Sequence, residues 1–440
     1  MHIFYNKRKG NKNTMSDNNS GIKASKRRQM EARRRRLRRR KRKRAMLLGG
    51  MLCTVCLILF GTIYGISHLM HKQTATKEAV KTSQKQTTKN KNSSSSKEKK
   101  DTSSSKEKID TSSVKTQELV INTDNNSGKK KKGSSSKGPT TITISSMGDC
   151  TLGTDEGFDQ STSFNAYYNE YGADYFFKNV RSILEADDLS VVNFEGTLTE
   201  ETSRADKTFA FKGPAKYTDI LTGSSVEAAN IANNHSKDYG TKSQEDTIEN
   251  LSNAGIATFG YENVVVVDVK GIKVGLTGIY ELAEHEQKAT QVKENIQALK
   301  DAGAQIIIVN FHWGIEKEYT PNATQKKLAH LAIDEGADLV IGHHPHVLEG
   351  IEKYNGKYIA YSLGNFCFGG NKNPSDKDTM IFQQTFTIDA DSKVADDDNI
   401  NIIPCSLSSS SNKNDYCPTP LEGDEAERVR QKIEKYSEGL

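Results

Sequence analysis

Residues 338–346 read Asp-Leu-Val-Ile-Gly-His-His-Pro-His, and this stretch decides the fold. Asp338–Ile341 is a short, continuous apolar run of the kind that forms a strand covered on both faces. The chain then breaks at Gly342 and sets three imidazoles in four positions, at His343, His344 and His346, two of them flanking a rigid proline. Packing alone seldom asks for histidine at that density, whereas metal ligation does. A covered strand that ends in a ligand-rich loop is the repeating unit of an open α/β sheet, where the carboxyl ends of the strands carry the chemistry.

Outward from this point the same unit recurs. Apolar or β-branched runs predict strands at 140–144, 189–193, 226–231 and 305–309, and a hairpin 264–269/272–277 turning at Lys270-Gly271. Further strands are expected at 357–362 and 380–388. Between them lie segments of helical period, through Phe176, Val180, Ile183 and Leu184, around Ile248 and Leu251, through Val292, Ile296 and Leu299, and through Leu328, Leu331 and Ala332. A last amphipathic segment, 425–436, is expected to dock on the same domain. Continuous apolar strands separated by amphipathic helices predict an α/β fold whose sheet is partly parallel and covered on both faces.

Each strand is followed by polar residues: Gly148-Asp149, Asn193-Phe194-Glu195, Asn233-Asn234-His235, His312-Trp313, the histidine loop, and Gly364-Asn365. Taken singly each has a plain structural use. Asp149 could cap a turn, Glu195 could pair with a surface lysine, Asn233-Asn234 could make a turn, and His312 could pack in a core. Jointly these uses would require every such group to fall at the same end of a different strand by accident. The expected assembly is Asp149, Glu195, Asn234, His235, His312, His343, His344 and His346. It includes five of the ten histidines, and its mixture of imidazole, carboxylate and amide oxygen suits Zn²⁺, Mn²⁺ or Fe²⁺.

The net charge of +6 is a sum over unlike segments. Residues 1–44 carry +17, residues 45–70 no charged side chain, residues 71–138 +10, and residues 139–440 −21. The only part able to build a large core is strongly acidic, which excludes a basic nucleic-acid-binding domain. Ala45–Ser67 is long enough to cross a bilayer as one helix. The fourteen basic residues of Lys26–Arg44 before it predict a cytoplasmic amino terminus and an exported remainder. The run exceeds a signal-peptide core and lacks a prompt small-residue cleavage site, so an uncleaved anchor is expected. Residues 71–138, rich in Lys, Ser and Thr, predict a disordered tether. Of six cysteines, Cys53 and Cys56 lie in the apolar run, and Cys405 and Cys417 are near enough in sequence to bridge.

Met-Gly-Asp149, Asn-Phe-Glu195, Asn-Asn234-His235-x-x-Asp-Tyr-Gly, His312-Trp-Gly, His344-Pro-His346-Val and Ser-Leu-Gly-Asn365-Phe, in that order, resemble the CapA family of poly-γ-glutamate capsule-synthesis proteins. That family is similar in fold to the calcineurin-like metallophosphoesterases. The resemblance covers about Thr140 to Cys405. It implies a four-layer αββα sandwich at 140–440, a place in capsule synthesis or export, and contact with an anionic polymer and its synthetase or exporter. It also implies one or two metals, with Asp149 and His346 on the first, Glu195 bridging, and Asn234, His312 and His344 on the second. His235 would act as acid or stabiliser beside the reacting group. The usual Asp-x-His of the first motif is here Asp149-Cys150-Thr151, so one imidazole is missing and Cys150 offers a thiol in its place. Other uses of such a site are hydrolysis of a phosphoester or a polymer amide, and non-catalytic polymer binding.

Overall fold

The computed structural model describes residues 109–120, 139–391, 393–395 and 399–440. The basic tail, the expected span 45–67 and most of the expected tether lie outside the described residues. Among the described residues no helix is long and apolar enough to cross a membrane.

Two sheets make the scaffold. The first runs in the order β1 (Lys115–Val120), β8 (Asn263–Val269), β9 (Ile272–Tyr280), β10 (Ile306–His312), β11 (Leu339–His343), β13 (Lys357–Ala360), β12 (Ile351–Tyr354). The second runs β17 (Thr419–Pro420), β16 (Ile400–Ser406), β15 (Asp378–Ile388), β2 (Thr140–Thr151), β3 (Leu189–Phe194), β6 (Ala228–Asn230), β7 (Ala257–Phe259), with β14 (Asn365–Phe368) also on β2. A small pair, β4 (Thr197–Leu198) and β5 (Lys212–Gly213), stands apart. The centre of each sheet is parallel: β9, β10, β11 and β13 in one, β2, β3, β6 and β7 in the other.

The helices are α1 (Phe164–Tyr171), α2 (Arg181–Leu184), α3 (Thr218–Thr222), α4 (Thr241–Asn253), α5 (Ala289–Asp301), α6 (Ala323–Asp334) and α7 (Gly423–Ser437). One core joins the sheets face to face, bringing Ile142, Ile144 and Val191 together with Val267, Leu276, Ile308 and Ile341. A second packs Phe164, Leu184, Ile220 and Leu251 on the other face of the β2–β3 sheet. A third packs Val292, Ile296, Leu328 and Ala332 on the β9–β11 sheet. Strands covered on both faces explain the unbroken apolar runs, since neither face of such a strand meets water. The result is an α/β sandwich.

Three expectations need correction. The helix through Phe176 and Leu184 is instead a 3-10 turn at Ala173–Tyr175 followed by the one-turn α2. Phe176, Val180 and Leu184 are buried and Ile183 partly so, so the period reported burial and not a continuous helix. The strand expected at 140–144 continues to Thr151, so Asp149 lies within it. Part of the expected tether is also ordered: Lys115–Val120 adds to the edge of the first sheet, parallel to β8 in register Lys115↔Asn263 to Val120↔Asp268. Its backbone supplies the ladder and half-buried Leu119 reaches the inter-sheet core. An edge strand needs no more than that, and composition alone hides it.

Candidate metal centre

Register assembles the centre before any side chain is considered. Asn365 pairs with Asp149, Asp149 with Asn193, and Asn193 with Asn230, so one polar row crosses β14, β2, β3 and β6. In the other sheet Tyr280, His312 and His343 form the matching row across β9, β10 and β11. Glu195, Asn234, His235, His344 and His346 follow directly on the carboxyl ends of these strands. Close crossing of backbones requires glycine at two places. A Cβ on Gly148 would lie 2.0 Å from Gly364 O, and one on Gly342 would lie 1.9 Å from Tyr361 O. His344 and His346 both take positive φ, at 96° and 59°. Left-handed backbone at two non-glycine residues is strain of the kind found where function fixes side-chain direction.

All eight residues singled out from the sequence come together, His343 Nδ1 lying 3.8 Å from Asp149 Oδ1. Ligand atoms of Glu195, His344 and His346 lie within 4.8 Å of one another, a cluster compatible with a metal ion. Glu195 Oε1 stands 3.8 Å from Nε2 of His235, of His312 and of His346. His312 Nε2 meets Asn234 Oδ1 at 2.7 Å. Asp149 has one oxygen 3.0 Å from His346 Nδ1, while the other accepts from Asn193 Nδ2 at 2.8 Å.

The hydrogen bonds of the donor set leave a cation-sized need unmet. Glu195 is wholly buried, yet neither carboxylate oxygen has a hydrogen-bond partner, and His344 Nδ1 is also unpartnered. A buried carboxylate in that state costs several kcal/mol unless a positive charge stands beside it (roughly 3–5 for an unpaired buried charge). Burial pushes the Glu195 carboxyl up; His346 opposes the shift, and Asp149 and Asp238 reinforce it. Burial holds His344 down to about 3 and His343 down to about 4, and takes His312 well below its ordinary value. Those rings are neutral near pH 7 and keep a lone pair, as ligation requires. Burial would lower His346 too, but the Glu195 and Asp149 carboxylates raise it. Burial would likewise raise Asp149, but His346, with His343 and Asn193, lowers it. These residues fit a divalent ion, which would supply the counter-charge that Glu195 lacks.

Around this set stand residues that the sequence did not single out. Asn193 reaches Asp149 and lies 3.3 Å from His312 Nδ1, while its own oxygen accepts from Asn230 Nδ2 at 3.0 Å. Asn365 Oδ1 lies 2.9 Å from His346 Nδ1. Asp238 Oδ2 is 2.7 Å from His235 Nδ1, and since a carboxylate only accepts, the ring donates from Nδ1 and turns Nε2 toward Glu195. Asn193, Asp238 and Asn365 lie inside or next to the quoted motifs, so proximity was a usable signal. Lys207, which contacts Asp238 and Asn234 O, carries no such signal.

Cys150 does not face the centre. It belongs to the apolar core behind the β2–β3 sheet, where burial and the Asp149 and Glu195 carboxylates push its thiol well up. It is therefore no thiolate ligand. The four described cysteines, Cys150, Cys367, Cys405 and Cys417, are all free. The Cys405–Cys417 bridge is absent: Cys405 Sγ lies against Ile403 O and Cys417 Sγ against Tyr175 O, each at 3.4 Å.

A cleft of about 500 Å³ opens over His235 and His346. Phe158, Phe209, Phe211 and Phe368 form one wall, and Lys317 and Lys372 stand on its exposed rim. Phe211 packs on the His235 ring with centroids 4.5 Å apart.

Fold and site together define an α/β sandwich protein with a histidine–carboxylate cluster at the carboxyl ends of its parallel strands. The sequence pattern of the bacterial capsule synthesis protein PGA_cap family matches residues 143–370, and the chain belongs to that family. The sandwich is consistent with the calcineurin-like superfamily. The chain is 32% identical over 226 residues to the capsule biosynthesis protein CapA of Bacillus anthracis, covering 46% of this chain and 55% of that one. It is 34% identical over 221 residues to the PGA biosynthesis protein CapA of Bacillus subtilis (strain 168), covering 45% and 57%. A probable polyglutamine synthesis accessory protein of Mycobacterium tuberculosis is 30% identical over 216 residues, covering 41% and 55%. The chain thus spans about half the length of the curated relatives it matches.

Proposed function

We propose that this chain is a membrane-anchored, extracytoplasmic component of poly-γ-glutamate capsule synthesis or export. In this reading residues 140–440 form a four-layer αββα sandwich of the metallophosphoesterase type, holding one or two divalent ions (Mn, Zn or Fe). The unpartnered carboxylate of Glu195, ringed by imidazoles, carries the metal assignment. Glu195, His344 and His346 would hold one ion, with Asp149, Asn234 and His312 completing the set. The anchor rests on Ala45–Ser67 and the basic block before it, which put the amino terminus in the cytoplasm and the domain outside. An acidic domain repels an acidic polymer, so contact would run through the bound ion, the basic segment 71–138 and the rim lysines Lys317 and Lys372. A polymer synthetase or exporter is the expected protein partner.

A second reading, a metal-dependent hydrolase of a phosphoester or polymer amide, is favoured by the posture of His235. A divalent ion supplies Lewis acidity at such a site. His235, held through Nδ1 by Asp238, has Nε2 free at the floor of the cleft to hold or deliver a proton to a leaving group. The aromatic wall excludes water on one side. In a third reading the same cleft binds polymer without reaction.

Metal analysis of the full chain in detergent, followed by assay on a p-nitrophenyl phosphodiester and on polyglutamate, separates the three. Hydrolysis that His235→Ala abolishes supports the enzyme. Equal inertness of both forms with full metal leaves the binding module, and absence of metal removes both metal-based readings. Mature protein in the medium starting beyond Ser67 would overturn the anchor.

A further inference from the structure

We propose that Lys207 is the positioning residue of the centre. The assignment rests on the reading that Asn234 and His235 serve a divalent-ion site. Lys207 lies in the loop between β4 and β5 and belongs to none of the strand ends that carry the ligands. Its Nζ donates to the backbone oxygen of Asn234 at 2.7 Å and to Asp238 Oδ1 at 2.7 Å, and lies 3.2 Å from His235 Nδ1. A single ammonium therefore grips both ends of the turn 234–238.

Each contact constrains a group at the centre. The carbonyl that Lys207 holds belongs to Asn234, whose Oδ1 faces His312 Nε2. The carboxylate belongs to Asp238, wholly buried, whose second oxygen accepts from Phe211 N at 2.6 Å and from His235 Nδ1 at 2.7 Å. With Lys207 on one oxygen and these two donors on the other, Asp238 has no freedom to rotate, and neither has the ring it holds. Lys207 touches no reacting atom; beyond its approach to His235 Nδ1 it acts through Asp238 and Asn234.

The same loop builds the cleft. Phe209 and Phe211 follow Lys207 directly, and Asp238 ties Phe211 N to the His235 turn. Arg204 presets the loop by donating to the oxygens of Ala205 and Lys207, both at 3.0 Å, and by pairing with Asp155 at 2.7 Å. Asp155 in turn accepts from Ala210 N at 2.7 Å. Wall and centre thus move as one piece, and Lys207 is the pin between them. Its side chain is 29% exposed, so removing the ammonium disturbs little packing.

The test is Zn²⁺ affinity of the full chain in detergent, read by competition with a chromophoric chelator. Lys207→Met should weaken Zn²⁺ about 10–100-fold, the range for outer groups that orient metal ligands, with affinity read well below the Tm of the metal-free variant, which should fall because buried Asp238 loses its counter-charge. Lys207→Arg, which keeps a cationic donor, should recover most of the loss. In an Asp238→Asn background, Lys207→Met should add less than its full loss, because only the contact with Asn234 O then remains to be removed. Unchanged affinity in Lys207→Met, failure of Lys207→Arg to recover it, or full additivity with Asp238→Asn would each overturn the proposal. If the wild-type chain takes up no Zn²⁺, the metal reading itself falls and this assignment with it.

Discussion

Glu195 Oε1 lies 3.8 Å from His346 Nε2, across a gap that no hydrogen bond from either residue closes. Two ligand atoms of one ion stand about that far apart, so the gap is compatible with a cation. Glu195→Gln keeps the volume and removes the buried charge. The metal-free variant should be at least as stable as the wild type in thermal melts with chelator present. Its divalent-ion affinity should fall by more than the ~10–100-fold typical of outer-group losses. Equal affinity for both forms would remove Glu195 from the ligand set.

Asn193 joins the two halves of the centre, donating to Asp149 and accepting from Asn230. Asn193→Leu fills the space but leaves Asp149 Oδ1 and Asn230 Nδ2 buried without those partners. A loss of about 2–6 kcal/mol in urea unfolding is expected, at ~1–3 for each of the two groups left unsatisfied. Metal affinity should fall with it. A change under ~0.5 kcal/mol, the range of surface substitutions, would show the amide row to be idle.

Glu349 is buried with Oε1 unpartnered and Oε2 accepting from Gln325 Nε2 at 2.8 Å. Burial pushes its carboxyl up to about 8, from an ordinary value of 4.5. A folded pKa above the unfolded one means that this group's contribution is intact below pH 4.5 and is lost as pH rises toward 8. Wild-type Tm should therefore fall between pH 5 and pH 9 more steeply than that of Glu349→Gln. Parallel curves would refute the assignment.

β1 contributes a full edge ladder and Leu119 to the first sheet. Deleting residues 109–120 from the full chain should lower stability by about 1–3 kcal/mol, the scale of one partly buried leucine with its neighbours. Hydrogen exchange at Val264–Val267 should accelerate. Unchanged exchange there would mean that β8 does not depend on its neighbour.

Much of the sandwich was legible because central strands covered on both faces must be apolar throughout. Val264–Val269, Ile306–Val309 and Leu339–Ile341 carry that mark plainly. β1 did not, since an edge strand with exposed side chains has the composition of its surroundings. The convergence of the candidate ligands was legible because metal chemistry would need particular residue types at strand ends. Their supports were not: an asparagine such as Asn193 or a lysine such as Lys207 is common anywhere, and its role exists only in the hydrogen bonds that the fold creates. Cys150 misled for a related reason. Beside a ligand in sequence means opposite to it across a strand, because successive side chains point to opposite faces.

The junction at β1 also has a mechanical meaning. Any load reaching the domain from its amino-terminal side arrives at Asp110 and passes into a strand whose ladder to β8 runs along the pull. Bonds lying across the direction of force share it side by side and yield together, unlike a hairpin opened from one end like a zip. In the proposed anchored reading, tension from the amino-terminal side would meet this sheet edge first, ahead of the turn at Asn234–Asp238.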